Sequence, residues 1–168
     1  MLELGKAGTA GTEKGTLPVL DGGALVATLR TAKVREAATA AVGGEEWVFT
    51  RSARGLVGRR AGDPEDTDRF RATQTSWWKG SWEIDLDSTA LEMTTASAWR
   101  GTHRYSRDGR TVAESGFTGR WLRLPTITAQ EPLPLPAQVF LLWVELVLTR
   151  RSATGAAVAA GVAAGAAG

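Results

Sequence analysis

The chain has no cysteine, and its 168 residues include a single histidine and a single tyrosine. The first absence excludes disulfides, thiolate metal sites and cysteine nucleophiles, and it is compatible with a reducing cytosol. Lysine is scarce, confined to Lys6, Lys14, Lys33 and Lys79. The net charge of +2 and pI of about 9.4 reflect a slight excess of arginine over acid, a balance that does not predict nucleic-acid binding. The N-terminus, MLELGKAGTAGTEKG, lacks a long apolar run behind a basic start, so no secretory signal is read there. There is no GxSxG elbow, glycine-rich phosphate loop or metal-ligand cluster in the sequence, so an enzyme is not expected. No cofactor is expected either.

Tryptophan, by contrast, is abundant: seven residues against four phenylalanines, which points to a core or cleft built on large rings. From about Ala24 to Leu124 the chain repeats short alternating runs followed by glycine turns. In Trp78 to Asp87, Trp78, Gly80, Trp82, Ile84 and Leu86 share one side of a strand and Lys79, Ser81, Glu83, Asp85 and Asp87 the other. Leu91, Met93, Thr95, Ser97 and Trp99 then share the face of a partner strand. Asp21-Gly22-Gly23, Gly43-Gly44 and Asp108-Gly109 supply the positive φ of tight hairpins. Strands are expected near 24–31, 34–42, 46–51, 55–60, 69–76, 78–87, 89–98, 99–106, 110–115 and 117–124, an all-β sandwich or barrel. The acidic segment 61–68 reads as a solvated linker.

After Leu124, Pro125, Pro132, Pro134 and Pro136 indicate an extended crossing into a helix, with Pro136 suited to its first turn. That helix, 137–150, is apolar almost all the way round, with Phe140, Leu141, Trp143, Val144 and Val147 as its expected core residues. A bilayer span needs roughly 20 apolar residues, whereas about a dozen precede Arg150 and Arg151. Glu145 in the middle would also be costly in lipid. Gln138, Glu145 and Thr149 form a narrow polar stripe, so the helix is expected inside protein, with that edge toward solvent or an arginine partner. The alanine- and glycine-rich segment 152–168 reads as disordered or a frayed helix. Membrane association through this C-terminal segment is the alternative to a cytoplasmic location.

Asp-Gly turns followed by short apolar strands, as in RDGRTVAES, and the terminal QVFLLWVELVLTRR give the chain an arrangement that resembles the tubby-like barrel group. That group includes tubby C-terminal domains, LURP-one-related proteins and phospholipid scramblases, and the chain is also similar to bacterial proteins ending in an FLLW helix. The resemblance spans residues 1–151 and implies a closed antiparallel barrel of about 12 strands threaded by a hydrophobic helix. A lipocalin-like barrel with an external helix is the second architecture. A lysine-rich headgroup cluster of the kind that binds phosphoinositides is not evident here.

Four arginines, Arg100, Arg104, Arg120 and Arg123, are candidates for contact with an anion or lipid headgroup; cross-strand pairing with Glu83, Asp85 and Glu92 is the plainer alternative. His103, on a face with Trp99, Gly101 and Tyr105, reads as a structural or surface residue. Glu83, Asp85 and Asp87 are spaced too far apart on one strand face to chelate a cation unaided. Trp77 points away from its neighbours and reads as an edge cap. The expected function is a non-enzymatic module that meets a protein partner or an anionic membrane surface, with a small apolar ligand carrier or a membrane-anchored accessory protein as alternatives.

Overall fold

Each alternating run closes on its neighbour by an antiparallel ladder, and the last ladder returns to the first strand. In the computed structural model the strands are β1 (Leu2–Leu4), β2 (Thr16–Asp21), β3 (Ala24–Thr31), β4 (Ala37–Val42), β5 (Glu45–Ser52), β6 (Gly55–Arg60), β7 (Phe70–Ser76), β8 (Ser81–Leu86), β9 (Thr89–Ser97), β10 (Thr102–Arg107), β11 (Arg110–Thr118) and β12 (Leu124–Ala129). They form a closed barrel in chain order, sealed by β1 pairing with β12. One helix, α1 (Leu135–Gly165), follows and threads the barrel. The structure describes all residues except 33–34, 77–79, 88, 120–122 and 166–168, and the side chains of α1 as far as Thr154.

Up-and-down topology places the connections alternately at two rims. The chain enters α1 at the rim carrying the tight turns after β2, β4, β8 and β10, and leaves at the rim formed by the segments after β1, β3, β5, β7, β9 and β11. We call these the entry and exit rims. Asp87 and Asp108 have φ near 50°, and Gly22, Gly23, Gly43, Gly44 and Gly109 are also positive, as two-residue hairpins demand. Gly55 is required for a different reason. With φ of 121°, a Cβ there would lie 2.2 Å from the Ala72 carbonyl oxygen.

The core is the seam between helix and wall. Phe140, Leu141, Trp143, Val144 and Val147 are all buried, as are Val139, Leu142 and Leu146. Phe140 packs on Phe49 and Phe70 at ring distances of 5.5 and 5.4 Å, and Trp143 packs on Phe49 at 5.5 Å. Space for these rings comes from small residues opposite them. Gly58 carries no side chain where a Cβ would touch Phe49 and Phe140 at about 3 Å, and β4 turns Ala38 and Ala40 inward. The apolar run from Ala137 to Val147 rises about 16 Å at 1.5 Å per residue. A six-residue strand tilted by about 40° spans a similar height, so the length of the run fits the barrel. The helix being internal, the lipocalin-like alternative with an external helix is overturned.

Three strand expectations are corrected. Residues 2–4 and 16–21 form strands that the sequence pattern, read only from Ala24, did not include. The segments 110–115 and 117–124 are not separate strands: β11 runs unbroken through Gly116, and the next strand begins at Leu124. The expected extended crossing from Pro125 therefore begins as β12. Proline is tolerated there because β1 pairs only with Thr126 and Ile127, leaving Pro125 a partner on one side alone, Phe117. Trp99 is not on a strand; it sits in the β9–β10 turn and is 95% exposed. Trp77 and Trp78 lie outside the described residues.

The acidic segment is pinned rather than solvated throughout. Asp63 accepts from Arg69 at 2.5 Å, and Asp68 pairs with Arg71 at 3.0 Å and Arg54 at 3.8 Å. The Arg69 guanidinium holds the Asp63 carboxyl below its usual range.

Because Phe140 joins the helix to two wall rings, Phe140→Ala is expected to cost about 3–5 kcal/mol in chemical denaturation. Trp99→Ala should stay within about 0.5 kcal/mol of the parent; comparable losses for both would contradict the packing described.

Candidate functional site

The polar stripe of α1 has one member that lies fully inside. Glu145 is 1% exposed, and a carboxylate so buried is costly unless its oxygens are engaged. Both are. Oε1 accepts from the Tyr105 hydroxyl at 2.6 Å, and His103 Nδ1 lies 3.0 Å from Oε1 and 3.0 Å from Oε2. The expectation of solvent or an arginine beside Glu145 is thus corrected: its partners are the chain's only tyrosine and only histidine, both on β10. A register shift between Thr102 and His103 marks a local irregularity next to the histidine, and Ser115 Oγ fixes the strand there by accepting from the His103 amide at 2.7 Å. The other stripe members bond locally, Gln138 to the Leu133 carbonyl and Thr149 to the Glu145 carbonyl, each at 2.8 Å.

Burial, reinforced by the Glu145 charge and hydrogen bond, raises the Tyr105 phenol well above its ordinary 10.0. With Nδ1 turned to the carboxylate, the imidazole presents Nε2 on its other side, with no partner for it among the described residues. His103 and Glu145 line a cavity of about 710 Å³ under the exit rim, together with Trp82, Phe117, Leu148 and Arg123. Taken along its length, the helix backbone lies closer to β12, β1, β4, β5 and β7 than to β8, β9 and β10.

The rim above the cavity is cross-braced by arginines. Arg151 grips Glu36 with two bonds of 2.6 Å and lies 5.8 Å from the Trp82 ring centre; Arg150 reaches Thr31 Oγ1 at 3.2 Å. The two arginines therefore fasten the helix to the rim where it emerges. Arg123 stacks on Phe117 at 4.1 Å and donates to the Arg100 carbonyl oxygen, tying the approach to β12 to the β9–β10 turn that carries Trp99.

Of the four arginines singled out from the sequence, the structure brings two together, Arg100 and Arg123. Arg104 lies on the outer wall and pairs with Glu114 at 2.9 Å. Arg120 lies outside the described residues. The plainer pairing scheme is not what forms: among the described residues no arginine pairs with Glu83, Asp85 or Glu92, and Glu83 stands opposite Glu92. Arg107 pairs instead with Glu131, and Arg60 with Glu45. The His103–Glu145 pairing was not foreseen from sequence, although its two halves were each visible: a lone carboxylate on an apolar helix, and a histidine sharing the inward face of Tyr105.

Charge divides the two rims. The exit rim carries Lys6, Lys14, Arg35, Arg100, Arg123 and Arg150 against Glu13 and Glu36, whereas at the entry rim the acids Asp21, Glu45, Glu46, Asp63, Asp87, Asp108 and Glu131 outnumber the arginines Arg60, Arg69, Arg107 and Arg110. No helix among the described residues is long and apolar enough to cross a membrane. No protein-family model, curated protein or solved structure matches the chain.

Two measurements check this site. A phenol raised in the folded state contributes stability that is complete below pH about 10 and is lost as pH climbs toward the folded value. Tyr105 being the sole tyrosine, phenolate absorbance should emerge only with alkaline unfolding, not as an independent step near pH 10; a separate step in protein whose circular dichroism is still native would contradict the buried bond. Glu36 is the opposite case. The Arg151 hydrogen bond holds its carboxyl below the ordinary range, so the contribution is present above that range and disappears as pH falls through the folded value. Arg151→Ala should cost about 1 kcal/mol at neutral pH, and its deficit against the parent should shrink steadily in acid.

Proposed function

We propose that this domain is a non-enzymatic module that docks its exit rim on an anionic membrane surface. The observation that carries the reading is the unequal division of charge between the rims, with the fully exposed Trp99 at the basic one. Tryptophan belongs at the headgroup level, where an apolar ring and a polar nitrogen are both accommodated. Each arginine or lysine near an anionic leaflet is worth about 1 kcal/mol. Arg100 adjoins Trp99, and Arg123 is fastened to the same turn. The segment of α1 beyond Arg151 leaves through this rim, so a surface docked here also meets the end of the helix. The acidic entry rim opposes the reverse orientation. Relationship to the tubby-like group is part of this proposal, supported by a closed barrel enclosing a C-terminal helix.

Cosedimentation of the full chain with phosphatidylcholine vesicles, with and without phosphatidylserine, tests the reading. Binding is expected only with the anionic lipid and should fall steeply with added salt. Trp99→Ala and Arg100→Ala should each weaken it, the latter about fivefold, the equivalent of about 1 kcal/mol. Equal binding to both vesicle types, or none to either, would overturn the proposal.

A further inference from the structure

The exit-rim cavity has groups left over once the fold has used what it needs. Glu145 is spent, since both of its oxygens are engaged by Tyr105 and His103. Arg151 is spent on Glu36. What remains polar is His103 Nε2, the neutral side chains of Gln74 and Thr95, and the donors of Arg123 beyond the one given to the Arg100 carbonyl, of which Arg123 alone brings a charge that no carboxylate meets among the described residues. The remaining wall combines the apolar Trp82, Phe117 and Leu148 with neutral polar side chains such as Thr149 and Ser152. Its volume of about 710 Å³ falls within the range of small-molecule sites.

We propose that this cavity binds a small amphiphilic carboxylate, one carboxylate head on an aliphatic or aromatic body. The sign of the ligand follows from what is unspent. A cationic head would need a free acceptor charge, and the only carboxylate lining the cavity is already engaged. An anionic head finds the Arg123 guanidinium, the cation of the lining that no carboxylate meets among the described residues. Glu145 then acts at one remove, holding Nδ1 so that Nε2 is the nitrogen presented. The apolar body lies against Trp82, Phe117 and Leu148. Arg123 is in this sense the binding residue, and Glu145 positions His103 in the cavity wall.

The site is separable from membrane docking through Trp99, which lies outside the cavity, whereas Arg123 belongs to both the cavity and the rim. The test is calorimetric titration of the full chain with octanoate, octan-1-ol and octylammonium, each kept below its aggregation limit. Saturable binding of octanoate is expected, with octan-1-ol at least about tenfold weaker because it forfeits the charge-assisted bonds, and no binding of octylammonium. Arg123→Gln should lower octanoate affinity about tenfold and octan-1-ol affinity by much less, because the alcohol gains no charge-assisted bond there. Arg123 is exposed at the rim, so its replacement leaves the buried Glu145 cluster intact. Trp99→Ala should bind octanoate like the parent even where it loses vesicle binding. Equal affinity for octanoate and octan-1-ol, preference for octylammonium, or no binding of octanoate would overturn the assignment.

Discussion

Everything in this molecule depends on the filling of a lumen that the strands cannot fill by themselves. A barrel of eight strands is just wide enough for its own inward side chains to meet. Twelve strands enclose a wider space, and without a filler the inward row of Leu29, Phe49, Ile84 and Met93 would face a void or water. Helix α1 supplies that filler. Fully burying each large apolar side chain contributes about 1.5–3 kcal/mol, and Phe140, Leu141, Leu142, Trp143 and Val144 are all buried together. Wall and helix are thus not separable layers, since neither has a core without the other. The small residues Gly58, Ala38 and Ala40 are the complement of this arrangement, set where the helix approaches the wall.

One round helix in a wide lumen leaves a remainder, and the two ends of the barrel treat it differently. At the entry end large rings close the gap: Trp47 stacks on Phe70 at 4.8 Å, and Phe70 reaches Phe140. At the exit end, toward β8, β9 and β10, His103 and Tyr105 stand at Glu145, and the space between Trp82, Thr95 and His103 stays open. A buried carboxylate fits this position better than any other on the helix. In the ringed middle Glu145 would have met only hydrocarbon, while one turn later it would have been in water. The hydroxyl of Tyr105 and the ring of His103 turn an expense of several kcal/mol into a fixed orientation for both β10 side chains.

Much of this was legible in the sequence because it is periodic. Period-two alternation gave β8 and β9, the Asp-Gly and Gly-Gly pairs gave the entry-rim hairpins, and a dozen apolar residues interrupted by Glu145 were too short for lipid and long enough for a barrel. The failures share a cause. Alternation says which residues point inward but not where a strand stops, so Trp99 was assigned to a face when it belongs to a turn. Pro125 reads as a strand breaker from sequence, yet its cost depends on whether a second neighbour needs its amide, and here that neighbour is the short β1. The partner of Glu145 lies 42 residues away for His103 and 40 for Tyr105. No local pattern encodes a pairing across that separation; it emerges only once barrel register fixes β10 beside the helix exit. The arginine pairings failed for the same reason, since Arg104 finds Glu114 through the β10–β11 ladder.

The two rims differ in more than charge, and the difference follows from the topology. An up-and-down barrel that begins and ends its strands at opposite rims must make its connections alternately, and here the short glycine turns fall at one rim and most of the longer segments at the other. Short turns have no room to vary, and their Asp and Gly residues are there to satisfy φ; acidity at the entry rim is partly a by-product of that turn chemistry. The exit rim is under no such constraint. Its side chains are free to be arginine, lysine and an uncovered tryptophan, and they are. Binding groups concentrate where the backbone does not dictate the residue, so the rim through which α1 leaves, with the open end of the lumen beneath it, is where recognition has room to reside.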